Sequence, residues 1–157
     1  MNNCMKLELT AVSENESFAR SAVSAFALCL NPSLTELSDI KTAVSEAVTN
    51  SVVHAYKKGA EEGLITIECH AISEGLQNAL HIEISDDGCG IEDVEKALTP
   101  FYTTLENDER SGMGFTIMQT FMHEFSLISE KGKGTKVRMV KRIGFEEMGE
   151  VLKRSNA

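Results

Sequence analysis

The chain has 157 residues, 42% of them hydrophobic and 25% charged, a length and composition suited to one compact soluble domain over residues 1–157 with a real core. Fifteen basic against twenty-four acidic side chains give a net charge of −9, so the basic excess of a nucleic-acid binder is missing, and the locally basic "KGKGTKVRMVKR" does not restore it. No apolar run approaches the roughly 20 residues needed to cross a bilayer, and four cysteines without a C-x-x-C pair argue against a zinc site and for reduced thiols.

The start, "MNNCMKLELTA", has no basic segment followed by an apolar stretch, so no export signal is read and a cytoplasmic location is expected. "MKLELTA" alternates as a short strand does. "NESFARSAVSAFALCL" places Phe18, Val23, Phe26, Ala27 and Leu30 at helical spacing and stops at "NPS", where Pro32 ends a helix. A second helix is predicted from about Leu34 to Tyr56, closing at Lys57, Lys58 and Gly59. "GLITIECHAI" and "ALHIEIS" read as a strand hairpin joined by "SEGLQN", and "DDGCGI" ends its second strand. A short helix ("EDVEKAL"), a polar stretch from Thr99 to Ser111, a helix over "FTIMQTFMHEF", a second hairpin ("FSLIS" and "TKVRMV" around "EKGKG") and a final helix at about Phe145–Lys153 follow. The order β-α-α-β-β-α-loop-α-β-β-α predicts a two-layer α/β sandwich, a mainly antiparallel mixed sheet covered by helices on one face.

The second helix carries an unusual row. With Val44 at the centre of the apolar face, Ile40, Ala47, Val48, Ser51 and Ala55 cluster around it at about 100° per residue. Glu46, Asn50 and His54, each four residues from the last, form a ridge beside that face, where they could either border a cleft or meet solvent. One imidazole is too little for zinc. The oxygen of Asn50 suits a hard ion such as Mg²⁺ that keeps waters and phosphates, and Glu46 could deprotonate a nucleophile beside it.

Three glycine-bearing segments follow, each also readable as an ordinary turn or helix start. "SDDGCGI" offers an acceptor for an exocyclic amine, with glycines that let a flat ring approach the backbone. "ERSGMGFTIM" sets Gly112 and Gly114 ahead of a helix whose free N–H groups favour phosphate, with Arg110 beside them. "EKGKGTK" is a hairpin turn with Thr135 at its base. The polar stretch Thr99–Ser111 is long enough to serve as a lid. Cys89 is the one thiol in an interesting loop.

The order E-x-x-x-N, D-x-G-x-G, lid, glycine turn into a helix and G-x-G-T resembles the Bergerat-fold ATPases over Glu46 to Thr135. Within them, "NESFAR", "IKTAVSEAVTN", "PFYTT" and "ERSGMGFTIMQTFM" are similar to the anti-sigma factor kinases of spore-forming bacteria, of the sigma F type, across nearly the whole chain. The stress-response anti-sigma B kinases are similar in "VSEAVTN" and less so around "ERSGMGF". The resemblance implies Glu46 as catalytic base, Asn50 as the Mg²⁺ ligand and Asp86 as acceptor from the adenine amino group, with Gly88 and Gly90 at the ring. It implies Thr103, Thr104, Arg110, Ser111, Gly112, Met113 and Gly114 along the phosphates, Thr135 near the adenine, and a supporting role for His54. Leu105 stands where a lysine often follows the two threonines. The family implies ATP or ADP with Mg²⁺ as cofactors. It implies a homodimer that binds its sigma factor with ATP bound and phosphorylates a serine of an anti-anti-sigma protein, without touching nucleic acid or membrane.

Other classes meet specific objections. A histidine autokinase needs a phosphoacceptor His on a dimerisation helix, and among His54, His70, His81 and His123 the pair His123–Glu124 lies on the wrong side of the phosphate loop. A methyltransferase would carry its glycine motif after the first strand of an alternating βαβ sheet. A nucleotide-gated clamp that sequesters a partner without chemistry has no use for Glu46. Arg20 on the first helix is read either as a partner contact or as a solvated side chain, and the amino-terminal strand is the expected dimer edge.

Overall fold

The computed structural model describes residues 2–56, 63–100 and 113–144. Five strands, β1 (Asn2–Thr10), β2 (Leu64–Glu74), β3 (Gln77–Asp86), β4 (Glu124–Ser129) and β5 (Thr135–Ile143), form one sheet in the order β1-β2-β3-β5-β4. All four ladders among the described residues are antiparallel. Side-chain alternation decides which face is covered. Ile65, Ile67, Cys69 and Ala71 of β2, Leu80, Ile82 and Ile84 of β3, and Val137, Met139 and Ile143 of β5 are buried on one face. The opposite face carries cross-strand ion pairs: Lys6 with Glu68 at 2.9 Å, and Glu83 with both Lys136 and Arg138 at 2.7 Å. The helices therefore cover a single face, and the two-layer sandwich read from the sequence is the one observed.

That layer is built from α1 (Glu14–Ala27), α2 (Leu34–Asn50), α3 (Val94–Ala97) and α4 (Gly114–Phe121). A 3₁₀ turn, Leu28–Leu30, extends α1 and closes on Asn31 in the left-handed region at φ 55°. Ser33 and Glu36 form a capping box that starts α2, with Glu36 N–H donating to Ser33 Oγ at 3.2 Å and Ser33 N–H to Glu36 Oε2 at 2.8 Å. The other oxygen of Glu36 accepts from Gly144 N–H at 2.7 Å, tying the start of α2 to the end of β5. The predicted apolar stripe packs as drawn: Ile40, Val44, Ala47 and Val48 join Ala19, Val23 and Ala27 of α1 in the core against the sheet.

Three elements end elsewhere than the spacing predicted. α2 stops at Asn50 and continues as a π turn, Ser51–Ala55, whose last carbonyl accepts from Cys89 N–H at 2.7 Å. α4 stops at Phe121, since Met122 is extended and His123 N–H pairs with the Val140 carbonyl at 2.9 Å, which leads the chain into β4. The strand at the amino terminus begins at Asn2, three residues before "MKLELTA", because β2 offers a partner at every position down to Ile72. The final helix expected from about Phe145 lies outside the described residues.

Candidate active site

A cavity of about 870 Å³ opens beside α2, the π turn, the loop after β3 and the first residues of α4. Its volume lies within the range of small-ligand sites. Glu46, Asn50 and His54 line it, so the ridge on α2 faces the cleft rather than solvent. Asp86, Gly90, Met113, Gly114 and Thr135 line it as well, which brings together residues from 46 to 135. Gly88 is not among the lining residues. Thr103, Thr104, Arg110, Ser111 and Gly112 lie outside the described residues, as does the stretch expected as a lid from residue 101 on.

One end of the cavity is set by α4. A Cβ placed on Gly114 would stand 3.2 Å from Glu46 Oε2 and Asn50 Nδ2 and 3.3 Å from Asn50 Oδ1. The carboxylate and the carboxamide therefore converge on the N-terminal residue of α4, and the glycine keeps that space open. Another part of the wall is formed by Asp86, the last residue of β3, 5% exposed. Its carboxylate accepts from the Ser51 hydroxyl at 2.8 Å and from Gly88 N–H at 3.1 Å. Burial pushes its pKa up, opposed by the Ser51 hydroxyl and by the backbone N–H groups of Gly88 and Thr135. Ser51 is buried, as its place on the apolar face predicts, and it is also the partner of Asp86, a pairing across 35 positions that local spacing does not reveal.

The glycines of "DDGCGI" serve the backbone itself. A Cβ on Gly88 would meet the Ala55 carbonyl oxygen at 2.3 Å, and one on Gly90, at φ +67°, the Glu130 carbonyl oxygen at 2.0 Å. These glycines let the loop nest between the π turn and the β4–β5 turn, a role for which the D-x-G-x-G spacing gave the position but not the reason. The β4–β5 turn is fastened in return: Gly132 N–H donates to the Cys89 carbonyl at 2.7 Å, and Ser129 Oγ lies 2.8 Å from the Gly134 carbonyl and 2.9 Å from Thr135 Oγ1. Ser129 also accepts from Ile91 N–H at 2.8 Å, so Thr135 is held at the cavity wall by a hydroxyl network.

Lys131 and Glu92 line the cavity without a signal in the sequence, whereas Cys89 had one. Lys131 pairs with Glu92 at 3.0 Å across the rim, an exposed pair that contributes little to stability. Cys89 lines the cavity, its thiol donating to the His54 carbonyl at 3.1 Å. Arg20 lies away from the cavity lining and is half-buried, its guanidinium within 3.5 Å of Glu16 and 3.4 Å of Ser45, whose hydroxyl donates to Glu16.

The donor chemistry fits a magnesium nucleotide on two counts. A buried carboxylate that retains acceptor capacity suits an amine hydrogen, and two oxygen-bearing side chains converging at a helix start suit a hard cation and phosphates. Among the described residues no group of three His, Cys, Asp or Glu side chains forms a metal cluster. No helix among them is long and apolar enough to cross a membrane.

Comparison with known proteins agrees with this geometry. The family model for the histidine kinase-like ATPase domain matches residues 9–141. The chain is 54% identical over 143 residues to the anti-sigma F factor of Caldanaerobacter subterraneus subsp. tengcongensis, covering 91% of this chain and 96% of that protein. It is 49% identical over 147 residues to the anti-sigma F factor of Clostridium acetobutylicum, covering 94% and 99%. Among solved structures, the RsbU and RsbW domains of a Mycobacterium tuberculosis protein superpose with a TM-score of 0.62 at 17% identity, over 90% of this chain and 32% of that one. The histidine kinase domain of an Erythrobacter litoralis blue-light activated kinase superposes with a TM-score of 0.51, also at 17% identity, over 82% and 61%. These two likenesses speak for the fold.

Proposed function

The chain belongs to the histidine kinase-like ATPase family, within its anti-sigma F factors, and from that premise we propose that it is an ATP-dependent protein serine kinase that binds and inhibits a sigma F-type factor. In this reading it holds the sigma factor while ATP is bound and transfers phosphate to a serine of an anti-anti-sigma protein. It works as a cytoplasmic homodimer and touches neither nucleic acid nor membrane. The observation that carries the reading is the approach of Glu46 and Asn50 to Gly114 in a cavity that buried Asp86 also lines.

Asp86 accepts from the adenine amino group, and its fixed hydrogen bonds to Ser51 and Gly88 aim the free lone pairs into the cavity. Asn50 would hold Mg²⁺, which when bound would neutralise phosphate charge. Met113 and Gly114, with Ser111 and Gly112 before them, offer backbone N–H groups at the start of α4 to the phosphates, and Arg110 supplies a cation near the terminal one. Thr103 and Thr104 close the lid over them, while Gly88 and Gly90 shape the loop and Thr135 the wall on the adenine side. Glu46 takes the proton of the acceptor serine hydroxyl as its oxygen bonds to the γ-phosphorus, and ADP leaves with the electrons of the broken P–O bond. His54, at the edge of the same row, supports the geometry.

Glu46 separates a kinase from a clamp that merely sequesters its partner. With γ-labelled ATP and the cognate anti-anti-sigma protein, the wild type is expected to yield phosphoserine identified by mass spectrometry. Glu46→Gln is expected to bind Mg²⁺-ATP with unchanged affinity and to transfer phosphate at least about 10²-fold more slowly, the lower end of a general base's contribution. Wild-type transfer by this variant refutes the assignment of the base.

A further inference from the structure

β5 presents Val137, Met139 and Ile143 to the core, yet the same alternation puts Lys141 on that face, 5% exposed. Its ammonium donates to Asp39 Oδ2 on α2 at 2.7 Å and to the carbonyl of Phe121, the last residue of α4, at 2.9 Å. An apolar side chain there would serve the core as its neighbours do, and a buried ion pair is weak evidence for stability. The cation satisfies a carbonyl that the end of α4 leaves without a helical partner, and it sits at the negative end of that helix.

The spacing along the two helices gives the contact a direction. At about 100° per residue around α2, Glu46 and Asn50 lie about 20° to either side of Asp39, so the three share one line. α4 runs along that line in the opposite sense, with Gly114 against Glu46 and Asn50 and with Phe121 tied through Lys141 to Asp39. Asp39 to Glu46 and Gly114 to Phe121 each advance seven positions, about 10 Å at 1.5 Å per residue. The two segments match end to end.

We infer that Lys141 and Asp39 are positioning residues: their bridge fixes the lengthwise setting of α4 on α2, and so the place of Gly114 relative to Glu46 and Asn50. A slide of α4 that moved its first residue along the line would break the bridge at its last one. The inference rests on the nucleotide reading of the cavity and adds to it a device, remote from the ligand, that sets the phosphate side and leaves Asp86 alone.

Affinities for adenosine and for Mg²⁺-ATP, measured by calorimetry on the full chain, separate the two contributions. In the double variant Asp39→Leu/Lys141→Met, which replaces the pair by apolar side chains, the melting point is expected to stay within a few degrees and adenosine affinity to hold. The advantage of Mg²⁺-ATP over adenosine is expected to shrink at least tenfold. Lys141→Arg, which keeps the cation, is expected to recover most of that advantage relative to Lys141→Met. A folded double variant with the wild-type advantage overturns the inference. If the double variant does not fold, Asp39→Asn carries the test: a threefold or larger loss of the advantage supports the pair, and an unchanged advantage overturns it. A wild type that binds adenosine and Mg²⁺-ATP alike removes the nucleotide reading, and the role of the pair with it.

Discussion

The Ser51 hydroxyl donates to Asp86 Oδ2 at 2.8 Å, joining the π turn after α2 to the last residue of β3. Close by, Cys89 N–H donates to the Ala55 carbonyl at 2.7 Å, which holds the loop carrying Asp86, Gly88 and Cys89 against the π turn. A carboxylate held this way is shaped for a ligand rather than for stability.

The pH dependence of stability tests that statement. Burial raises the Asp86 pKa above its ordinary value of 3.8, so the native state holds this proton more tightly than the unfolded chain does. The cost of burying the charge is present in full at neutral pH and is relieved as the pH falls through the folded-state pKa towards that ordinary value. Asp86→Asn, able to accept from Gly88 and donate to Ser51, is therefore expected to be at least as stable as the wild type at pH 7. The difference should close below about pH 4 in thermal unfolding. ATP affinity should nevertheless fall by about 1–3 kcal/mol in calorimetry, because the adenine amine loses an acceptor. Unchanged affinity would place the base elsewhere.

Gly114→Ala separates packing from ligand binding in the same way. The new methyl stands 3.2 Å from Glu46 Oε2 and Asn50 Nδ2, the ends of two flexible side chains that can yield by a few tenths of an ångström. In the first turn of a helix the substitution restricts the unfolded chain, a stabilising term that offsets part of the crowding. Denaturant unfolding should change by no more than about 1 kcal/mol, while Mg²⁺-ATP affinity should drop about tenfold, or ~1.4 kcal/mol.

Gly132 and Gly134 share one turn and nearly one conformation, φ +81° and +82°, but not one environment. A Cβ on Gly132 meets nothing within 4 Å, and one on Gly134 falls 1.9 Å from the Asp86 carbonyl oxygen. Gly132→Ala is expected to cost about 1–2 kcal/mol, the left-handed penalty alone. Gly134→Ala forces the turn off Asp86 and is expected to cost more than about 4 kcal/mol, in the range of exceptional substitutions. Equal unfolding midpoints for the two variants would contradict the close approach.

Thiol labelling reads both burial and occupancy. Cys4, Cys29 and Cys89 are exposed, whereas burial pushes the Cys69 thiol up to about 12. At pH 8 an aromatic disulfide reagent should modify Cys4, Cys29 and Cys89 in the native protein and Cys69 only after unfolding. Saturating Mg²⁺-ATP should slow the labelling of Cys89 alone, since only that thiol lines the cavity. Peptide mapping of the labelled protein with and without nucleotide checks both statements.

The layered fold was legible because each element carries its own periodicity. Ile65, Ile67 and Cys69 alternate regardless of what they face, and Ile40, Val44 and Val48 repeat every four residues. The boundary differs where two periods coexist. Met122 and Phe125 continue the apolar spacing of α4, yet the chain turns extended at Met122 and the ladder to β5 from Glu124 onward decides for the strand. The π turn could not be read, since Val52 and Val53 continue a helical pattern and the hydrogen bond to its last carbonyl comes from Cys89. At the site, Glu46, Asn50, Asp86 and Gly114 were legible from residue type and order. Ser51 was not, because a serine on an apolar face shows no partner until the sheet is assembled.

The sequence by itself determined the order of the elements, the covered face of the sheet and the side chains that carry chemistry, because spacing and residue type act within a few positions. Tertiary structure alone decided that Glu46 and Asn50 meet Gly114, that Ser51 meets Asp86, and that Lys141 bridges Asp39 to the end of α4. Those pairings join residues 35 to 102 positions apart or lie across separate layers, where close packing, not local preference, chooses the neighbour.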